Sequence, residues 1–449
     1  MVKIDKIVPG GQGIGTLEDG KKIFLWNVLP GEEVEEFLVT KKKSKYLEGI
    51  ATKIAKKSEK RVKQKDDCFL STSPWQIFDY QFELKTKGEI VKECFTQNGI
   101  KIDIPEVITD GKEWNYRNKM EYALYFDKED EKIKLAFHQR GTHRKVPIKK
   151  SSIERPEILE QAEKIVLGLN ERREEARKYQ SLILRCSKSG VVSGGLYENH
   201  KAHPVFPSLS DEILGISYRY SPNGFFQINL PVYEMALREI KENLGDSSKI
   251  LDLYSGVGTI GLSVASDRDL TLVECDKSAY SELEKNCRQV FDARLRSAFS
   301  SRTVSRSPVV TGSEHSSSVV TSGGPSNEMP PRSHIVEKKM GTHRNMIHPI
   351  LAKSEEALEY IEPEMTVILD PPRAGCHQKL LERILEVLPE RIVYLSCNPI
   401  TQARDVAILS EKYQIMSVKA FNFFPKTPHI ENLVVFVKNY PSAVGLREG

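Results

Sequence analysis

Four short runs carry the side chains able to do chemistry. Ser396-Cys-Asn-Pro399 sets one thiol at the end of an apolar run, Arg391 to Ser396. A cysteine at a strand end is ordinarily a small buried hydrophobe. Here Asn-Pro follows it, which forces the chain to turn and presents the thiol at the mouth of a crevice. Asp370-Pro-Pro-Arg373 ends a second run, Met365 to Asp370, and brings an acid to the neighbouring strand-end loop, as nucleophilic catalysis by a thiol would need. Asp252-Leu-Tyr-Ser-Gly-Val-Gly-Thr259 closes a third run in a glycine-rich turn whose backbone can approach a ligand closely. Glu274 ends a fourth run about twenty residues further on, placed to accept both hydroxyls of a ribose. A glycine turn and an acid at this spacing fit a dinucleotide and S-adenosylmethionine equally well.

These runs need an edge to stand on. From about residue 222 onward, buried strand-like runs (249–253, 270–274, 365–370, 391–396) alternate with helical stretches such as 278–290 and 377–387. That alternation predicts a doubly wound, mostly parallel α/β sheet, with the ligand site at the carboxyl ends of its strands. Upstream, 2–8, 22–26, 33–40 and 47–54 read as short strands separated by Pro9-Gly10-Gly11, Glu18-Asp19-Gly20 and Pro30-Gly31, the pattern of a small barrel. Gly11-Gln-Gly13-Ile-Gly15 is not followed by a helical pattern, so it reads as a glycine hairpin rather than a dinucleotide loop. A helix is expected over 79–98, with Tyr80, Leu84, Ile90, Val91 and Phe95 facing a core. The region from about 105 to 220 mixes strands (120–126, 133–138, 182–186) with one charged helix, 156–179. Between Arg294 and Asn345 twelve of 52 residues are serine. Such a stretch buries too little apolar surface to offset its ordering entropy, so 294–345 is expected to be a disordered insertion.

A chain of 449 residues is too long for one core. Its expected organisation is a barrel at 1–57, a central α+β domain at 58–221 and a catalytic domain at 222–449. No apolar run is long enough to cross a membrane, and the first residues lack the apolar stretch of a signal peptide. Seven scattered cysteines with no Cys-x-x-Cys pair argue against a disulfide framework or a zinc site and for a cytoplasmic location. The net charge is only +4, but Lys41 to Lys65 holds eleven Lys or Arg against Glu48 and Glu59. A block of this kind is a solvated face or the electrostatic footprint of a nucleic acid.

Taken together, the chain resembles the RNA uracil-5-methyltransferase family over nearly its whole length. The blocks that carry the resemblance are Tyr116-Arg-Asn-Lys-Met120, Phe225-Phe-Gln-Ile-Asn229, Asp252-Leu-Tyr-Ser-Gly256, Val273-Glu274, Asp370-Pro-Pro-Arg-Ala-Gly375, Leu395-Ser-Cys-Asn-Pro399 and Phe424-Pro-Lys-Thr-Pro-His-Ile-Glu431. The resemblance implies a Rossmann-like class I methyltransferase domain, with S-adenosylmethionine as methyl donor and RNA as partner. It implies that Cys397 is the nucleophile and Glu431 the base that removes the C5 proton. Gln227, Tyr254, Glu274 and Asp370 match the family's S-adenosylmethionine-site positions, with Asp370 also near the uracil edge. The helix over 79–98 is expected, by the same analogy, to pack on the catalytic domain. The barrel resembles the TRAM module, an OB-like RNA-binding domain, which turns the basic stretch toward RNA.

Those residue types suit the reaction. Uracil C5 is too weak a nucleophile to attack a methyl sulfonium unaided; a thiolate added to C6 turns it into an enolate. Cysteine is both a good nucleophile and a good leaving group, and glutamate suits the later proton removal. The base must be unstacked, so a single-stranded or loop uridine is expected, in ribosomal RNA ahead of transfer RNA. A monomer is expected. Many relatives hold a four-cysteine iron–sulfur site before the 79–98 helix; here that stretch reads Cys68-Phe-Leu-Ser-Thr-Ser-Pro-Trp75-Gln76. One thiolate cannot hold such a cluster, and none is expected. Two other readings compete. An amino-methylating enzyme would carry an aromatic where Arg373 stands and would need no thiol. An RNA-binding protein that has lost catalysis would have no reason to keep Cys397 and Glu431.

Overall fold

The computed structural model describes residues 1–103, 107–142, 144–172, 177–198, 201–204, 207–303 and 346–439. Five strands, β1 (Val2–Ile7), β2 (Gly13–Thr16), β3 (Lys22–Trp26), β4 (Glu33–Lys42) and β5 (Tyr46–Lys56), close into a barrel of order β1-β2-β3-β5-β4. Alternating side chains fill it: Val2, Ile4, Ile23, Leu25, Val34 and Ala51 are all buried. The glycines of the first turn are needed for its conformation, since Gly10 and Gly11 sit at φ +98° and +95°, where a side chain is strained. Just past β5, Arg61 grips the fully buried Glu32 through both carboxylate oxygens at 2.7 and 2.8 Å, pinning the chain as it leaves the barrel.

A short helix, α1 (Phe69–Thr72), leads to α2 (Tyr80–Gln97), which is capped by the Asp79 carboxylate accepting from the Phe82 amide at 3.1 Å. Leu84, Ile90, Val91 and Phe95 are buried as expected, and the core they enter is that of the C-terminal sheet, shared with Val406 and Leu409. The central region is an antiparallel sheet in the order β11-β10-β9-β6-β7-β8. Its strands are β6 (Lys119–Asp127), β7 (Lys132–His138), β8 (Lys145–Pro147), β9 (Ser181–Cys186), β10 (Val192–Glu198) and β11 (Lys201–Pro204). One face is covered by α3 (Pro156–Glu171), through Ile158 and Ala162. That helix ends at Glu171; of the stretch expected to carry it on to Tyr179, residues 173–176 lie outside the described residues and 177–179 are not helical. A hairpin, β12 (Leu209–Ile213) and β13 (Ile216–Tyr220), leads into α4 (Leu230–Glu242).

The remaining strands are β14 (Lys249–Leu253), β15 (Asp269–Glu274), β16 (Ile347–Leu351), β17 (Met365–Leu369), β18 (Arg391–Ser396), β19 (Tyr413–Phe421) and β20 (Glu431–Lys438). They form one sheet of order β16-β15-β14-β17-β18-β20-β19. The first five are parallel, and β20 runs antiparallel to both neighbours. Every residue of β17 is buried, because helices cover both faces: α5 (Thr259–Ala265) and α6 (Lys277–Thr303), then α7 (Gln378–Val387) and α8 (Pro399–Leu409). The strand order reverses between β14 and β17, so a crevice opens beyond their carboxyl ends.

One expectation needs correction. The helix predicted for 278–290 runs from Lys277 to Thr303, ten residues into the segment read as a disordered insertion. Ala293-Arg-Leu-Arg296 are strong helix formers and carry the helix onward although serine dominates the segment as a whole. The rest of that segment, 304–345, lies outside the described residues.

Candidate active site

The end of β18 turns as its residues dictate. The Asn398 amide donates to Ser396 Oγ at 3.2 Å, Asn398 Oδ1 caps α8 by accepting from the Ile400 amide at 3.2 Å, and Pro399 takes the first helical position, where it lacks no needed donor. Cys397 is left half-buried at the head of the crevice. In the antiparallel register Ser396 faces Asn432, so the next residue outward on each strand, Cys397 and Glu431, are neighbours. Asp370 closes β17 alongside. Two bonds tie this loop to the thiol loop: the Arg373 carbonyl accepts from Asn398 Nδ2 at 2.8 Å and from Thr401 Oγ1 at 3.1 Å.

Electrostatics express the crowding. Burial pushes the Cys397 thiol up to about 11, and the carboxylates of Glu431 and Asp370 push the same way, while Arg373 opposes them by charge and hydrogen bond. Burial also raises Asp370 to about 7. Glu431 is held well above the ordinary carboxylate range, by burial first and Asp370 second, again against Arg373. The thiol therefore keeps its proton at neutral pH, and the Glu431 carboxyl holds a proton more tightly than an exposed carboxyl does. Arg373 is the cation common to both groups, and its side chain is held at 3.4 Å from His429 Nδ1. Arginine has no acceptor, so the imidazole accepts. That fits a ring pushed down to about 4 by burial, then by Arg373 and Lys87, which leaves it neutral.

The cofactor side lies at β14 and β15. Gly258, at φ +87°, admits no side chain, since a Cβ there would stand 2.6 Å from Leu283 Cδ1. Glu274 accepts from the Gly256 amide at 2.8 Å through one oxygen and from the Asp276 amide at 2.6 Å through the other. A lone pair on each stays open for a diol. Tyr254, at φ +64°, is half-buried, its phenol raised by burial and set beside Ser354 and the His377 backbone. Behind the turn Asp252 is fully buried; Oδ2 accepts from the Gly261 amide at 2.8 Å, and burial raises the carboxyl to about 8. Asp252 Oδ1 and Ser255 Oγ are buried with no partner among the described residues. Unsatisfied polar atoms of this kind, beside a glycine cradle and an open carboxylate, suit a polar nucleoside-bearing ligand. Gln227 is buried in the link between β13 and α4, its carbonyl accepting from Asn118 Nδ2 at 3.0 Å.

The structure thus brings Cys397, Asp370 and Glu431 together and places Tyr254 and Glu274 at the adjoining strand ends, with Gln227 on a separate segment. The role of Arg373 was not foreseen; its position in Asp370-Pro-Pro-Arg373 was the only signal. Cys68 packs against the core of the central sheet, its Sγ 3.5 Å from the Lys150 carbonyl. Its thiol is pushed up to about 12 by burial and then by Asp66, the reverse of what a ligating thiolate needs. Protein purified without air is expected to contain no stoichiometric iron or acid-labile sulfide; finding both would mean that distant cysteines converge on a cluster.

The fold and this site define a class I methyltransferase. Residues 358–439, which hold Asp370, Cys397 and Glu431, match the family model of tRNA (uracil-5-)-methyltransferases. Over nearly its full length the chain is similar to proteins named uncharacterized RNA methyltransferases. One, from Enterococcus faecalis, is 26% identical over 98% of this chain and 97% of its own length. Another, from Thermotoga maritima, is 24% identical over 97% of this chain and 98% of its own. Among solved structures, the Pyrococcus abyssi tRNA (uracil-54, C5)-methyltransferase in complex with S-adenosyl-L-homocysteine superposes with a TM-score of 0.68 at 22% identity, covering 97% of this chain and 99% of that one. At that identity the likeness is one of fold. The chain thus carries at 358–439 a domain of the RNA uracil-5-methyltransferase type.

Proposed function

We propose that the enzyme transfers a methyl group from S-adenosylmethionine to C5 of an unstacked uridine in RNA, through a covalent bond between Cys397 and C6. The observation that carries this reading is the β18–β20 register, which makes a thiol and a buried carboxyl neighbours at the head of the crevice. The glycine turn at 256–258, Glu274, Tyr254, Gln227 and Asp370 would hold the cofactor, which when bound supplies an electrophilic methyl on a positively charged sulfur.

The residues of the chain do the rest. Arg373, beside Cys397, favours the thiolate as the thiol gives up its proton to solvent. The thiolate adds to C6, the electron pair of the C5–C6 double bond moves through C5 toward O4, and C5 then takes the methyl, whose former bonding electrons would stay on the donor sulfur. Glu431 then accepts the C5 proton; the electrons of that C–H bond restore the C5–C6 double bond and expel the Cys397 thiolate. Raised by burial, Glu431 is a stronger base than an exposed carboxylate once ionised.

The barrel and its basic hairpin favour ribosomal RNA; that the Pyrococcus abyssi enzyme of the same fold is described as acting on transfer RNA makes transfer RNA the alternative, in a cytoplasmic setting for either. The test is to digest ribosomal and transfer RNA separately, from cells with and without the gene, and quantify 5-methyluridine in each. Loss from the ribosomal fraction is expected. Loss from the transfer RNA fraction would change the substrate only. Loss of a methylated ribose or exocyclic amine, with 5-methyluridine unchanged, would overturn the reaction.

A further inference from the structure

The turn that delivers Glu431, residues 422–430, belongs by sequence to the catalytic sheet but is held almost wholly from elsewhere. Four consecutive carbonyls each accept a bond from a residue upstream of β14. Phe423 takes Asn229 Nδ2 at 3.1 Å, Phe424 takes Lys87 Nζ at 3.1 Å, Pro425 takes the Tyr116 hydroxyl at 2.8 Å, and Lys426 takes the Trp75 amide at 3.0 Å. At the centre is a buried pair on α2. Lys87 spends its three donors on Glu83 (2.9 Å), Asn422 Oδ1 (2.6 Å) and the Phe424 carbonyl. Glu83 in turn receives the Lys426 amide at 3.0 and 3.1 Å, one bond to each oxygen. Lys87 and Glu83 are both fully buried. Lys426 stands at φ +62°, a conformation a lysine keeps only when its surroundings impose it. The barrel adds a last contact: a Cβ on Gly11 would lie 2.3 Å from Pro428 Cβ, so the glycine hairpin rests directly on the turn.

Ion pairs this deep are costly to desolvate and are often no more stabilising than apolar residues of the same shape. Stability alone is therefore a weak reason for this one, whereas a fixed geometry for the following residues is a sufficient one. We infer that the N-terminal half of the chain sets the position of Glu431, with Lys87 as the central positioning residue, and so takes part in proton removal as well as RNA capture. This rests on the reading of Glu431 as the base.

The experiment separates methyl transfer from release. Enzyme, uridine-containing RNA and methyl-labelled S-adenosylmethionine are mixed in a single turnover, and the label is followed in covalent adduct and in free RNA. The double variant Glu83→Gln/Lys87→Met removes both charges together. It is expected to methylate within about threefold of wild type while releasing product at least about tenfold more slowly, so that adduct accumulates. A merely structural lesion would lower both steps by the same folded fraction; that result, or unchanged release, overturns the inference. Should the double variant fail to fold, Tyr116→Phe decides on the same criterion, since it deletes one bond to the turn and keeps the ring. Glu431→Gln run in parallel distinguishes the two failures: if it too shows no adduct, the assignment of the base is wrong rather than its positioning.

Discussion

Cys397→Ala is expected to lower methyl transfer by roughly 10⁴-fold or more and to abolish every covalent RNA adduct, since deleting a nucleophile removes the whole covalent route. The substitution removes one sulfur from a half-buried position whose turn is built by Ser396, Asn398 and Pro399. A stability loss of about 1 kcal/mol is the most it should bring, so the lost activity is chemical. RNA carrying 5-fluorouridine should trap the wild type, because fluorine cannot leave as a proton does, and should leave Cys397→Ala free. The thiol itself gives a second readout. With the group near 11, alkylation of Cys397 by iodoacetamide in the free enzyme should rise about tenfold per pH unit across pH 7 to 9, following the thiolate fraction. A plateau beginning below pH 8 would mean that Arg373 outweighs burial and the two carboxyls. Near-normal methylation by Cys397→Ala would end the covalent mechanism.

Much of this site could be read before any coordinates. The runs at 249–253, 365–370 and 391–396 are mostly apolar without alternation, as a sheet covered on both faces requires, and polar residues that close such runs must stand at its edge. Asn-Pro after Cys397 fixes a cap and a first turn by local chemistry alone. Long-range pairing left no such trace. Glu83 and Lys87 have the i, i+4 spacing of an ordinary solvated helix pair, and nothing local marks them as buried. Only the chain returning at Asn422–Lys426 makes them so. Arg373 is legible only as the residue standing where an amino-methylating enzyme would carry an aromatic, because its electrostatic value lies in two groups 24 and 58 positions away, Cys397 and Glu431. The extension of α6 to Thr303 was missed for another reason: serine content averaged over 294–345 concealed a helix-forming start.

Glu431→Gln should fail later in the reaction and leave a different signature. Gln keeps the shape, so addition of Cys397 to C6 and methyl transfer to C5 should proceed, but an amide cannot accept the C5 proton. Methylated RNA should remain bonded to Cys397 and run as a slow, protease-sensitive band on a denaturing gel, with turnover reduced by roughly 10² to 10⁴-fold. Folding is expected to be intact, and the pH dependence of stability shows why. Burial and Asp370 raise the carboxyl of Glu431 in the folded state, so between its unfolded value and that raised value the folded chain binds more protons than the unfolded one. Stability of the wild type therefore falls as pH rises through this window, whereas Gln, neutral throughout, escapes that loss. The variant should melt at or above the wild-type temperature at pH 7 to 8, and the difference should shrink toward pH 4, where both side chains are neutral. A variant that melts lower at pH 8 than at pH 4 relative to wild type would show that Glu431 is ionised and paired in the resting enzyme. One that turns over freely would place the base on another residue.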